Sequence, residues 1–257
     1  MNLPPALPRT ALVTGGAKRL GAALVRALAA DGFAVVIHYR ESRAEAETLA
    51  ATIVDAGGRA KAVQGDLAVE ESVLELAASA NAAFGPIGVL VNNASVFERD
   101  EAASATRASW DAHLEANLRA PFVLGQSLAR NLPDDAEGAI INLIDQRVWN
   151  LTPHFTSYTV SKAGLWTLTQ TLALALAPRI RVNAIGPGPT IASARQDPAQ
   201  FARQVASVPL QRGPALDEVA AAMRFILSAR SMTGQMIALD GGQHLNWGAP
   251  GRHQPDE

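Results

Sequence analysis

Cysteine is absent from this chain of 257 residues. That excludes disulfides, thiolate metal sites and a cysteine nucleophile. Basic residues hold no excess: 22 Lys and Arg stand against 24 Asp and Glu, for a net charge of −2 and a pI near 6.2. A nucleic-acid partner is therefore not expected. No apolar run approaches the roughly 18 residues that a membrane span needs, so no membrane partner is expected either. The five histidines, at 38, 113, 154, 244 and 253, show neither an HExxH pattern nor close pairing, and no metal is expected. Residues 1–9 hold three prolines and no apolar stretch. They read as a flexible leader rather than a signal peptide, which points to the cytoplasm.

What is present is an alternation that runs from end to end. Short β-rich runs at Ala11–Thr14, Ala34–Tyr39, Ala60–Gln64, Gly88–Asn92, Ala139–Ile144, Arg181–Ile185 and Met236–Leu239 are separated by Ala/Leu-rich stretches. Those stretches predict helices at 19–31, 42–56, 70–83, 107–131, 156–177 and 217–229. This alternation predicts an α/β protein: a doubly wound parallel sheet of about seven strands with helices on both faces. The length suits one domain, and no composition break divides it. Gly186 to Pro214 breaks the rhythm. It is rich in Gly and Pro and reads as a long irregular segment, of the kind that serves as a lid more often than as filler.

Two groups of residues carry chemistry. Tyr158 and Lys162 lie one helical turn apart on one face, and Asp145 sits thirteen positions before the tyrosine at the end of an apolar run. A phenol is a weak acid at neutral pH, and a nearby ammonium favours release of its proton. That suits protonation of a substrate atom as a hydride arrives. The second group is the turn Thr14-Gly15-Gly16-Ala17-Lys18-Arg19-Leu20-Gly21, between the first strand and the first helix. Glycines allow a diphosphate close approach, and the helix N-terminus offers free N–H groups. The second strand ends in His38-Tyr39-Arg40-Glu41-Ser42. An acid here would hold the ribose 2′-hydroxyl of NAD, whereas Arg40, with Ser42 and with Lys18 or Arg19 nearby, suits the 2′-phosphate of NADPH. Glu41 counts the other way.

Together with Asp66-Leu67, Asn92-Asn93-Ala94-Ser95, Asn117 and Pro187-Gly188, these motifs resemble the short-chain dehydrogenase/reductases from Thr10 to Gly242. The resemblance implies a single Rossmann-fold domain at 10–243, with a substrate-loop segment at 187–214 and a C-terminal tail at 244–257. It implies NADPH/NADP+ as cofactor, a small-molecule substrate and a homotetramer. Carried over residue by residue, the cofactor site takes Gly15, Lys18, Arg19, Leu20, His38, Tyr39, Arg40 and Ser42. Asp66 and Leu67 flank the adenine, and Asn93, Ala94 and Ser95 lie by the nicotinamide ribose. Pro187, Gly188 and Thr190 complete the cofactor set. Lys162 holds the ribose hydroxyls, Tyr158 donates the proton, and Asn117 supports a water-linked relay to Lys162.

Two positions depart from the wider family. Arg19 stands where a glycine is usual, and Asp145 replaces the serine that usually precedes the tyrosine by thirteen residues. Both changes, with His38-Tyr39-Arg40, Phe97 and Gly186-Pro187-Gly188, resemble the pteridine reductases. That branch implies a substrate site of Arg19, Phe97, Asp145 and Tyr158, in which a pterin stacks on the phenylalanine. An acid beside the tyrosine suits proton traffic at a ring C=N bond, whereas a serine suits a carbonyl oxygen. Two other readings stay open: a reductase of a ketone or 3-oxoacyl carbonyl in which Asp145 merely replaces the serine, and a non-catalytic NADPH sensor. Trp149, Phe155, Trp166 and Trp247 read as core or interface residues, and His154 as a solvated loop histidine.

Overall fold

The computed structural model describes residues 3–192 and 197–245. Strands β1 (Thr10–Val13), β2 (Ala34–Tyr39), β3 (Arg59–Gln64), β4 (Val89–Asn92), β5 (Gly138–Leu143), β6 (Ile180–Pro187) and β7 (Met236–Leu239) form one sheet. All pairings are parallel, in the order β3-β2-β1-β4-β5-β6-β7. Helices α1 (Arg19–Ala30), α2 (Arg43–Asp55) and α8 (Leu216–Ser228) cover one face. Helices α3 (Glu70–Phe84), α5 (Ala120–Asn131) and α6 (Thr156–Ala175) cover the other.

Strand periodicity divides the core. In β1, Ala11 and Val13 join the α1/α2/α8 layer while Leu12 joins the opposite one; in β4, Val89 and Val91 face one way and Leu90 the other. Because both faces are covered, every residue of β1, β2, β4 and β5 is buried. That is why these strands read as unbroken apolar runs rather than alternating ones. Strand order reverses between β1 and β4, so the loops leaving their carboxyl ends splay apart and open a crevice.

Three expectations need correction. The leader is packed from Leu3 onward: Leu3 and Leu7 are buried in the core, and the Ala6 carbonyl accepts the Glu137 amide at 3.1 Å. The helix expected over 107–131 is helical throughout, but α4 (Arg107–Leu114) passes into a π turn at Glu115–Arg119 before α5. The segment 186–214 is not irregular throughout, since it contains α7 (Pro198–Ser207). Asp197 caps α7 by accepting the Gln200 amide at 2.7 Å, and Pro198 occupies its first turn. An Asp-Pro start of that kind is visible in a sequence. Beyond Leu245 the tail, with Trp247 and His253, lies outside the described residues.

Candidate active site

The turn after β1 is built to be approached closely. Gly15 has φ +59°, a region that favours glycine, and a Cβ there would lie 3.0 Å from the Ala94 Cα. A Cβ on Gly21 would strike the carbonyl oxygen of Gly15. The turn is tied down from two sides. Asn93 donates its amide to the carbonyls of Thr14 and Gly15, at 2.9 and 3.0 Å. The Thr14 hydroxyl accepts from the amides of Asn93 and Ala94, each at 3.0 Å. His38 closes the third side: its Nδ1 accepts the Gly15 amide at 3.0 Å, so its Nε2 carries the proton and donates to Gly65 O at 3.1 Å. Burial pulls the pKa of His38 down and keeps the ring neutral in this role.

A cavity of about 850 Å³ follows this turn, lined by Gly15, Lys18, Arg19, Leu20, His38, Arg40, Asp66, Leu67, Asn93, Ala94, Ser95 and Phe97. Most of the residues expected at the cofactor are therefore brought together. Tyr39, Ser42 and Lys162 are not: Tyr39 is buried in the core, Ser42 is the N-cap of α2, and Lys162 is buried and does not line this cavity. Arg40 is exposed at the rim, paired with Glu41 at 3.1 Å. Lys18 reaches Glu45 at 2.5 Å, and this partner's hydrogen bond holds the Glu45 carboxyl below its ordinary pKa.

A second cavity, about 280 Å³, is lined by Asp145, Gln146, Arg147, Tyr158, Pro187, Gly188, Thr190, Phe201 and Gln204, among others. Arg19, Leu20 and Phe97 line both cavities, so the two meet there. The Tyr158 hydroxyl donates to Asp145 at 2.8 Å, and the other oxygen of Asp145 accepts the Arg147 amide at 2.8 Å. Lys162 is buried, donates to Leu143 O at 2.9 Å, and sits 5.8 Å from the tyrosine ring centroid. Burial pulls its pKa down to about 8, against the opposing pull of Asp145. Asn117, on the π turn, is fully buried. It accepts the Val96 amide at 2.7 Å and donates to Val96 O and to the Ser161 hydroxyl. π turns recur where a side chain must be re-aimed, and here one turns Asn117 toward the loop after β4.

Phe97 stacks on Phe155, with centroids 4.5 Å apart and planes at 8°, and meets the Tyr158 ring edge-on at 4.6 Å. Arg19 has φ +53°, a left-handed conformation that costs a non-glycine residue about 1–2 kcal/mol. Its guanidinium donates to Ile191 O and Ala192 O at 3.0 and 2.8 Å, so it bridges the Gly-rich turn to the segment after β6. Asp145 is engaged instead by Tyr158 and Arg147. Sequence reasoning had not singled out Gln146, Phe201 or Gln204 as lining residues. α7 brings the last two to the site from a stretch read as irregular. Trp149 and Trp166 meet edge-on at 6.2 Å, away from both cavities.

Fold and site together define a doubly wound α/β protein whose strand-end crevice opens onto a tyrosine–carboxylate pair, with a buried lysine behind it. A family model described as enoyl-(acyl carrier protein) reductase matches residues 15–244. Among solved structures, FolM alternative dihydrofolate reductase 1 from Brucella canis, complexed with NADP, is 50% identical, with a TM-score of 0.93 over 96% of this chain and 98% of that one. Among curated proteins, 3beta-hydroxysteroid dehydrogenase 1 of Eggerthella lenta is 36% identical over 92% of this chain and 94% of its own length. The 3-oxoacyl-[acyl-carrier-protein] reductase of a Synechocystis strain is 33% identical over 91% and 96%. The chain belongs to the short-chain dehydrogenase/reductase family, and it is an oxidoreductase.

Proposed function

We propose that this enzyme reduces a ring C=N bond of a pterin or dihydropterin-like substrate with NADPH, using Tyr158 and Asp145 as the proton-donating pair. One observation carries the reading: Tyr158 donates to Asp145 at 2.8 Å beside the Phe97 ring, in a cavity that Arg19 also lines. A flat, nitrogen-rich ring fits a stacking face, a planar cation and a carboxyl–phenol pair. The likeness to a FolM protein crystallised with NADP supports the same reading.

The crevice suits a dinucleotide: Gly15 and Gly21 both line it, and because a Cβ on either would strike Ala94, Asn93 or the Gly15 carbonyl, their lack of side chains keeps the turn tight and its backbone bare toward the cavity. Arg40 at the rim is the group for a 2′-phosphate. Bound there, NADPH supplies the hydride. Lys162, buried beside the Tyr158 ring, is the group for the ribose hydroxyls; Asp66 and Leu67, which line the crevice, flank the adenine, and Ala94 and Ser95 line the wall toward Phe97. Tyr158 passes its hydroxyl proton to the substrate nitrogen and recovers one through Asp145, whose second oxygen is anchored by the Arg147 amide. Asn117 ties the β4 loop to α6 beside Lys162 and supports the supply of protons through water.

The second reading is reduction of a ketone or 3-oxoacyl carbonyl, favoured by the names of the relatives at 33–36% identity. A sensor without catalysis has no use for the Tyr158–Asp145 pair. Asp145→Ser separates the two enzymes. Under the pterin reading it lowers turnover of dihydropterins much more than that of small ketones, and Phe97→Ala raises the pterin KM. Undiminished pterin reduction in Asp145→Ser, or reduction of ketones alone by the unmodified enzyme, transfers the assignment to carbonyls. We also read the enzyme as a cytoplasmic homotetramer. An outer groove lined by Leu118, Phe122, Gly164 and Leu168 offers an apolar surface for self-association, and sedimentation tests the number of subunits.

A further inference from the structure

Behind the reacting group lies a second polar cluster that touches neither cavity. Ser157, next to the tyrosine, and His113 on α4 are fully buried, and Asp100 in the loop after β4 is 5% exposed. Asp100 Oδ1 accepts the Ser157 amide at 3.0 Å, and its Oδ2 accepts the hydroxyls of Ser157 at 2.5 Å and Ser109 at 2.9 Å. The Asp100 carbonyl accepts the Thr156 amide at 3.2 Å. His113 Nε2 accepts the Glu98 amide at 3.0 Å, which leaves Nδ1 to donate toward Ser109 O and Ser157 Oγ, both at 2.7 Å. Burial alone would raise the Asp100 carboxyl, but the bonds from Ser157 and Ser109, with His113 nearby, hold it below its ordinary value and ionised.

Serine, histidine and aspartate at these distances have the composition of a nucleophilic triad. The wiring is different. In a triad the serine proton goes to the histidine, whereas the Ser157 hydroxyl donates to Asp100, and none of the three residues lines either cavity of the site. The cluster instead joins two pieces of chain. One is 96–101, which carries Phe97; the other is the first turn of α6, which carries Tyr158. That helix start has no cap of its own, since Phe155 at its N-cap is left-handed (φ +59°) and makes no side-chain bond to the helix. Asp100 caps it from outside, placing an anion at the helix N-terminus.

We infer that Asp100, acting through Ser157 and His113, is a positioning residue that fixes Tyr158 and Phe97 relative to each other for proton transfer. It does not touch the substrate. A misplacement of about 1 Å at a reacting group can cost 10²-fold in rate, so loosening this link acts on turnover before it acts on cofactor affinity. The inference rests on Tyr158 being the proton donor, whatever the hydride acceptor.

The test compares Ser157→Ala, Asp100→Asn and Tyr158→Phe in the full chain, with the acceptor that the unmodified enzyme reduces best. Ser157→Ala should lower kcat about tenfold while the NADPH Kd changes less than twofold. Asp100→Asn should also lower kcat with NADPH Kd little changed, because its carbonyl oxygen can still accept the Ser157 amide but its NH2 cannot accept the Ser157 and Ser109 hydroxyls. A purely structural role predicts a lowered Tm with kcat intact well below it, and that result in Ser157→Ala overturns the inference. Equal losses of kcat and NADPH affinity also overturn it. If Tyr158→Phe is inactive while Ser157→Ala is normal, only the positioning role falls. If Tyr158→Phe turns over normally, the proton-donor reading falls with it.

Discussion

Tyr158 and Lys162 were visible from their spacing, but the chemistry of each depends on what surrounds it. Tyr158→Phe keeps the ring against Phe97 and removes only the hydroxyl that reaches Asp145. Turnover should fall by roughly 10²- to 10⁴-fold, the usual worth of acid–base catalysis, with NADPH binding retained in a fluorescence titration. Lys162 is more constrained than its sequence suggests, because its pKa is drawn down to about 8 by burial. A lysine with a lower pKa folded than unfolded destabilises the fold while it is charged. That cost is present below about pH 8 and is released as the pH rises toward the ordinary lysine value. Lys162→Met should therefore raise Tm at pH 7, and the gain should shrink as the pH climbs past 8 in a series of melts. The same variant should lose turnover, so stability and activity move in opposite directions at this residue. At Arg40, NADPH should bind at least tenfold tighter than NADH, a gap of about 1.4 kcal/mol, and Arg40→Ala should narrow it mainly by weakening NADPH.

The turn that opens α1 shows how an element decides a residue. Adding a Cβ at Gly21 brings it against the Gly15 carbonyl, so the turn must open. Gly21→Ala should weaken dinucleotide binding by more than tenfold and lower Tm, both measurable in one thermal-shift titration. Strands β1, β2, β4 and β5 were legible because burial on both faces leaves continuous apolar runs, and Gly or Pro marks the ends of most helices. Three features were not. The π turn at 115–119 carries the buried Asn117, which bonds Val96, a contact across 21 residues that no local pattern encodes. α7 is short and set among Gly and Pro, so the stretch read as irregular even though its Asp197-Pro198 start is a recognisable cap. Residues 3–9 carry prolines that read as loose, yet Leu3 and Leu7 find the core because the rest of the sheet is there to receive them.

Across the whole molecule the site is assembled from the carboxyl ends of β1, β2, β3, β4, β5 and β6, so ligand binding reports on the fold entire. Saturating NADPH at a hundred times its Kd should add about 2.7 kcal/mol of stability, seen as a rise in Tm that NADH at the same concentration does not match. By itself the sequence determined the class of fold, the order of its elements, the glycine turn and the spacing that sets Tyr158 and Lys162 on one helix face. Each of these rests on local periodicity, on the backbone demands of glycine or on side-chain chemistry at fixed spacing. Only the tertiary structure decided which residues share a cavity. It turned Tyr39 into the core, tied His38 on the cavity wall to the Gly15 amide, and carried Phe201 and Gln204 of α7 to the site. It also joined Asp100 to Ser157 across 57 residues. The reason is physical: a parallel sheet brings together the ends of strands far apart in the chain, and no local pattern encodes the contacts made there.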